Sequence, residues 1–291
     1  MSSNAAGPLP AFSRKAREIA RPRIASSKRL GERLARYPTV ALRGSRFGKR
    51  MDVAHPAIST PQGRSNALEE YFDSNTEGPG IWKWRHYFDI YDHHLAKFVG
   101  KRVNIVEIGI FSGGSLGMWR NYFGDGVRIY GVDIEPACAV YQDGPVRVFI
   151  GDQADPKFWE RFCEEVQDID VVIDDGGHES HQQIATLEAL LPRMRPGGVF
   201  LCEDLIGTSN LFHRYVCGLS SGLNARGSEP NTVQRAVKSV SLYPYVTVIE
   251  RRTKPLTELV APRHGTEWQP FFDHLSLELP HAESGPLSSK H

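Results

Sequence analysis

VNIVEIGIFSGGS, residues 103–115, is a short apolar strand running into a glycine-rich turn. Val103–Ile108 reads as a short strand, apolar at 103, 105, 106 and 108. Glycines at 109, 113 and 114 let the chain turn sharply and let a ligand approach where a Cβ would clash. Ser115–Phe123 then reads as a helix, with apolar residues at 116, 119, 122 and 123.

The alternation repeats downstream. Arg128–Val132, Val146–Ile150, Ile169–Ile173 and Val199–Cys202 read as further strands, and Pro156–Val166 and Ser180–Met194 as the helices between them. Pro196-Gly197-Gly198 reads as the turn into the fifth strand, and a helix over Thr232–Val240 precedes a late strand at Tyr245–Ile249. Strands alternating with helices of this length predict an α/β fold with a doubly wound, mostly parallel sheet. Upstream, the aromatic run Ile81–Phe98, with large residues at 84, 87, 88, 91 and 95, predicts an amphipathic helix packed on that sheet.

The 291 residues carry a formal charge of +1, which conceals an asymmetry: residues 1–50 hold thirteen Lys or Arg against Glu18 and Glu32. The remainder is mildly acidic, which argues against nucleic-acid binding by the core. Residues 1–65 read as a basic arm, with an organelle transit peptide or an anion-binding arm as alternatives. The globular domain is expected over 66–274 and a polar tail over 275–291. No apolar stretch approaches the roughly 18 residues needed to span a bilayer, and a secretory leader is not expected. Cys138, Cys163, Cys202 and Cys217 show no zinc spacing and read as reduced thiols. A cytoplasmic setting follows, or an organelle if residues 1–50 are a transit peptide.

The polar residues collect at strand ends. In a parallel sheet these share one edge, where ligands of open α/β folds bind. The spacing Gly109-x-x-x-Gly113-Gly114 departs from G-x-G-x-x-G and weighs against a dinucleotide. Asp133 ends the second strand, where a carboxylate can grip both hydroxyls of a ribose. Asp152, in Gly151-Asp152-Gln153, follows the third strand and suits an adenine ring, although it can equally cap the helix that Asp155-Pro156 opens. The fourth strand ends in Asp174-Asp175-Gly176-Gly177-His178 and the fifth in Glu203-Asp204. Carboxylates packed this closely repel one another unless a cation sits among them. Oxygen ligands favour a hard ion, Mg²⁺ first. Asp175, Glu203 and Asp204 are the expected ligands, with Asp174 either a fourth ligand or a supporting group. Two glycines that can take positive φ would swing His178 back over the ion, where a neutral imidazole can accept a hydroxyl proton. His181, one turn on, is the alternative base.

The segments VEIGIFSGGSLGMW, IYGVDIEP, VFIGDQAD, VVIDDGGH and RPGGVFLCEDL together resemble the Mg²⁺-dependent sugar O-methyltransferases of macrolide biosynthesis and their cephalosporin-hydroxylase-labelled relatives. The resemblance covers about residues 75–210. It implies a seven-stranded, Rossmann-like class I methyltransferase fold binding S-adenosylmethionine, through Glu107, Gly109, Ser112, Gly113, Asp133, Asp152, Gln153 and Asp174. It also implies a metal on Asp175, Glu203 and Asp204, with His178 as general base. The acceptor implied is a small molecule, a saccharide or glycosylated metabolite, and a homo-oligomer is possible. Familiar catechol-type enzymes use a lysine base, whereas no Lys neighbours either acidic segment in the sequence. That favours a sugar or aliphatic hydroxyl. A metal-dependent oxygenase and a non-catalytic nucleotide-binding module are the alternatives.

Overall fold

The computed structural model describes residues 40–49, 66–207, 210–262 and 264–265. The chain divides into two units, Met1–Gly63 and Arg64–His291. Of the first, a helix over 40–48 is described. The expected arm and transit peptide otherwise lie outside the described residues, as does the tail over 275–291.

The second unit is a seven-stranded sheet in the order β3-β2-β1-β4-β5-β7-β6. Its parallel part comprises β1 (Val103–Ile108), β2 (Val127–Asp133), β3 (Val146–Ile150), β4 (Ile169–Asp174) and β5 (Met194–Cys202). The strands β6 (Val237–Tyr243) and β7 (Val246–Arg251) form an antiparallel hairpin, and β7 pairs antiparallel with β5. The order reverses between β1 and β4, the switch point at which open α/β sheets bind ligands.

Period-two alternation sends side chains to two cores. Val103 and Ile105 of β1, Val171 and Ile173 of β4, and Val199 and Leu201 of β5 pack beneath α1 (Ala67–Ser74), α2 (Tyr87–Leu95) and α3 (Gly114–Phe123). Val106, Val172 and Phe200 face α4 (Pro156–Glu165), α5 (Ser180–Leu190) and α6 (Leu211–Ser221). All six residues of β4 are buried, Asp170 and Asp174 among them.

Three elements differ from the sequence expectation. β5 begins at Met194, and Pro196-Gly197-Gly198 is an irregularity inside the strand rather than its lead-in turn. The register jumps from Ile169↔Met194 to Val171↔Val199. A Cβ on Gly198 would stand 2.9 Å from the Asp170 carbonyl oxygen, so this close approach requires glycine. The late helix, α7 (Thr232–Ala236), stops four residues early because Val237–Tyr243 is recruited as a strand by its ladder to β7. The upstream aromatic helix starts only at Tyr87, and residues 81–84 are irregular.

Candidate active site

The carboxyl ends of β1, β2, β3, β4 and β5 open onto one pocket of about 640 Å³. That is within the size range of small-molecule sites. Gly109, with φ +82, is its pivot. The Gly109 N–H donates to the Val132 carbonyl at 2.8 Å, and the Asp175 N–H donates to the Ile108 carbonyl at 3.0 Å, so the loops after β1 and β4 are laced together. A Cβ on Gly109 would fall on the Asp175 carbonyl oxygen and stand 2.7 Å from its carbon. Gly113, with φ +75, precedes α3 in a left-handed conformation, and a Cβ there would meet the Tyr141 ring at 2.6 Å.

On the cofactor side, Gly109, Ser112, Asp133, Asp152 and Gln153 line the pocket, whereas Glu107, Gly113 and Asp174 are not among its lining residues. Asp133 Oδ2 accepts from the Phe111 N–H at 3.0 Å and Oδ1 from the Glu135 N–H at 2.9 Å. These bonds fix the carboxylate and leave each oxygen a further lone pair. Asp155, not Asp152, caps α4, accepting from the Lys157 N–H. Asp152 instead accepts from the Ala154 N–H at 2.8 Å.

Gln153 is a buried staple. Its Nε2 donates to Asp174 Oδ1 at 3.1 Å and to Thr186 Oγ1 at 3.2 Å, and its Oε1 accepts from the Gly177 N–H at 2.8 Å. Burial raises the Asp174 carboxyl to about 6 despite these hydrogen bonds. Glu107 is fully buried, accepts from Trp119 Nε1 at 3.0 Å through one oxygen, and has no hydrogen-bond partner for the other. Burial pushes its carboxyl up as well.

On the acidic side, Asp175, Glu203, Asp204 and His178 all line the same pocket. One ligand atom from each of Asp175, His178 and Asp204 lies within 4.8 Å of the others, close enough to share one cation. His178 Nε2 stands 3.8 Å from Asp204 Oδ2. The way His178 is turned differs from expectation: the residue itself takes φ +58, while Gly176 and Gly177 are not among the residues of positive φ. Those glycines make room instead, since a Cβ on Gly176 or Gly177 would strike the side-chain amide of Gln153 or Gln182 respectively. Asp204 (φ +53) and Phe111 (φ +41) are also left-handed. Non-glycine residues so placed gather at functional sites. His181, by contrast, is exposed and outside the pocket lining.

The reading that no lysine neighbours the acids holds along the chain but not in space. Lys83 Nζ is 2.5 Å from Asp175 Oδ2 and 2.8 Å from Glu203 Oε2, and its side chain is 3% exposed. Burial draws the ammonium's pKa down, but Asp175 and Glu203 outweigh it and hold Lys83 above the ordinary lysine range. Burial pushes the Glu203 carboxyl up against the pull of Lys83. The other Glu203 oxygen accepts from the Tyr91 hydroxyl at 2.7 Å. Asp204 Oδ1 accepts from Tyr87 at 2.6 Å and from Trp84 Nε1 at 3.2 Å. Tyr87 and Tyr91 stand one helical turn apart on α2 and so reach adjacent acids. Reading 81–98 as one helix hid Lys83. The alternation Trp82-Lys83-Trp84 was the available signal, since in an extended segment it puts Lys83 opposite its two neighbours. Both of those tryptophans are exposed.

A family model described as a methyltransferase domain matches residues 106–205. An 8-demethyl-8-(2-methoxy-alpha-L-rhamnosyl)-tetracenomycin-C 3'-O-methyltransferase of Streptomyces olivaceus is 38% identical over 133 residues, 43% of this chain and 33% of that protein. Demethylmacrocin O-methyltransferase of Streptomyces fradiae is 36% identical over 132 residues, 43% of this chain and 33% of that protein. The chain therefore spans about a third of the length of these relatives. Among solved structures, MycE methyltransferase from the mycinamycin biosynthetic pathway, in complex with Mg, SAH and mycinamycin VI, superposes with a TM-score of 0.57 at 25% identity. That likeness covers 65% of this chain and 54% of that one. Residues 106–205 thus match a methyltransferase domain, on a seven-stranded sheet that superposes on that of MycE methyltransferase.

Proposed function

We propose that the chain transfers a methyl group from S-adenosylmethionine to a hydroxyl of a saccharide or glycosylated small molecule, assisted by a hard divalent cation, Mg²⁺ before others. The observation that carries this reading is one pocket lined by Gly109 and Asp133 together with Asp175, His178 and Asp204. Relatives named as sugar O-methyltransferases, and the MycE complex with Mg and SAH, support it.

The donor set suits such an ion: one atom each from Asp175, His178 and Asp204 lies within 4.8 Å of the others, while Glu203 stands outside that group and is tied to Asp175 through Lys83. Asp175, Glu203 and Asp204 would hold it. Bound there, a dication supplies electrostatic stabilisation to an oxygen losing its proton. The chain's own part is to orient and to move that proton. Asp133 and Asp152 face the nucleoside, Gly109 and Ser112 let it approach, and Glu107, Gly113, Gln153 and Asp174 support the loops that hold it. His178, whose imidazole is open to the pocket, takes the proton of the acceptor hydroxyl. Trp82, Trp84, Phe111 and Ile206 present exposed apolar surface at the pocket, a wall suited to a sugar ring and its apolar aglycone. A ligand set of three carboxylates differs from the oxygenase triad, which uses two imidazoles and one carboxylate.

We assign catalysis to residues 66–274 and, from the four free thiols, a cytoplasmic setting. Among the described residues, no helix is long and apolar enough to cross a membrane. The test is mass spectrometry of a glycoside panel incubated with the chain, S-adenosylmethionine and Mg²⁺. One added methyl on a glycoside, lost on chelation, is expected. Oxygen incorporation or no product across the panel contradicts the reading.

A further inference from the structure

Lys83 has no part in the proton transfer assigned to His178, yet it is a buried cation paired with two acids of the site. Its ammonium bridges Asp175 and Glu203, the residues that immediately follow β4 and β5, across 92 and 120 residues of sequence. The segment that delivers it is anchored at both ends. At one end the Pro79 and Gly80 carbonyls lie so close to Gly114 that only glycine fits there. At the other, Trp84 and Tyr87 donate to Asp204, and His86 Nε2 bonds the Pro244 carbonyl in the β6–β7 turn. Lys83 is therefore held in place rather than swinging free, and the two tryptophans beside it face outward.

Charge gives this placement its meaning. Asp175, Glu203 and Asp204 bring three negative charges to one small volume, and Lys83 returns one positive charge. One dication then neutralises what remains. We propose that Lys83 is a resident cation of the acidic site, a positioning residue that holds Asp175 and Glu203 in register without metal, then shares them with the divalent ion and keeps it exchangeable. This rests on the reading that the site takes a divalent cation.

The sign of the effect separates this role from a merely structural one. A lysine that only props up the site would, when lost, loosen it and weaken metal binding. A lysine that shares the ligands would, when lost, leave three uncompensated acids and strengthen it. One unit charge acting on a dication across several ångströms with water-like screening changes affinity by about tenfold.

The experiment is Mn²⁺ binding, read by electron paramagnetic resonance on the intact chain, native against Lys83→Met, with melting temperatures in chelator and in saturating Mg²⁺. Native binding with about tenfold tighter binding in K83M is expected. The K83M melting temperature should rise more with Mg²⁺ than the native one, because the ion then replaces the missing charge. Native binding with equal or weaker binding in K83M overturns the role of Lys83 and leaves the metal reading standing. No binding by the native chain overturns both. Should K83M unfold in chelator, folding restored by Mg²⁺ supports the proposal, and a variant that stays unfolded at saturating Mg²⁺ overturns it.

Discussion

Replacing Gly109 by alanine should damage fold and site together, because one position serves both. Gly109 takes φ +82. An alanine held in that left-handed region costs about 1–2 kcal/mol. The added Cβ also falls on the Asp175 carbonyl, 2.7 Å from that carbon and 2.9 Å from Gly176 Cα, and these are backbone atoms that cannot rotate away. Forcing extra volume into packed surroundings costs about 1–3 kcal/mol. The expected loss is therefore about 2–5 kcal/mol, a drop of roughly 5–15 °C in melting temperature for a domain of this size. Gly100→Ala is the control. Gly100 takes φ +70, but nothing lies within 4 Å of a Cβ there. The backbone penalty of about 1–2 kcal/mol should then act alone. Urea unfolding of both variants measures the difference. Equal losses would refute the claim that the β1 and β4 loops are in backbone contact at Gly109.

Other expectations follow from the same geometry. His178→Ala should lower turnover by about 10²–10⁴-fold, the usual worth of a general base, while calorimetry finds the affinity for S-adenosylmethionine nearly unchanged. Equal loss of both would remove His178 from the role. Tyr91→Phe leaves a fully buried Glu203 oxygen without its hydroxyl donor. That should cost about 1–3 kcal/mol in urea unfolding. Stability should also fall in acid. Burial lowers the His94 pKa from its ordinary 6.5, while hydrogen bonds from Lys238 and His94 overcome burial to lower Glu250 from 4.5 to about 2. Both groups bind protons more readily unfolded, so their contribution is present at neutral pH and is lost as pH falls from about 6.5 towards 2. Thermal melts across that range check this, and Glu250→Gln should flatten the limb below pH 4.5. Trp82 is exposed at the pocket. Trp82→Ala should therefore raise the KM for a glycoside severalfold, yet shift stability by only about 0.5 kcal/mol or less.

The five parallel strands were legible because each is a short apolar run ending in glycine or acid, and their shared edge follows from parallel pairing alone. The convergence of Asp133, Asp152, Asp175, His178, Glu203 and Asp204 on one pocket was legible for the same reason. Contacts between distant segments were not. Lys83 meets its partners across 92 and 120 residues, and the tyrosines of α2 reach Glu203 and Asp204 across 112 and 117. No local periodicity encodes such distances. Likewise Val237–Tyr243 follows a helix without a break, and only the ladder to β7 makes it a strand. His178 shows a finer failure: the glycines beside it suggested where positive φ would fall, whereas the two neighbouring glutamine amides demand glycine for space.

The measurement that bears most directly on the central claim is a calorimetric titration of the chain with S-adenosylmethionine and, separately, with NAD. The strand-end arrangement around Gly109 and Asp133 predicts saturable binding of S-adenosylmethionine, sharply weakened by Asp133→Ala, and none of NAD. Binding of NAD alone, or S-adenosylmethionine binding indifferent to Asp133, would contradict it.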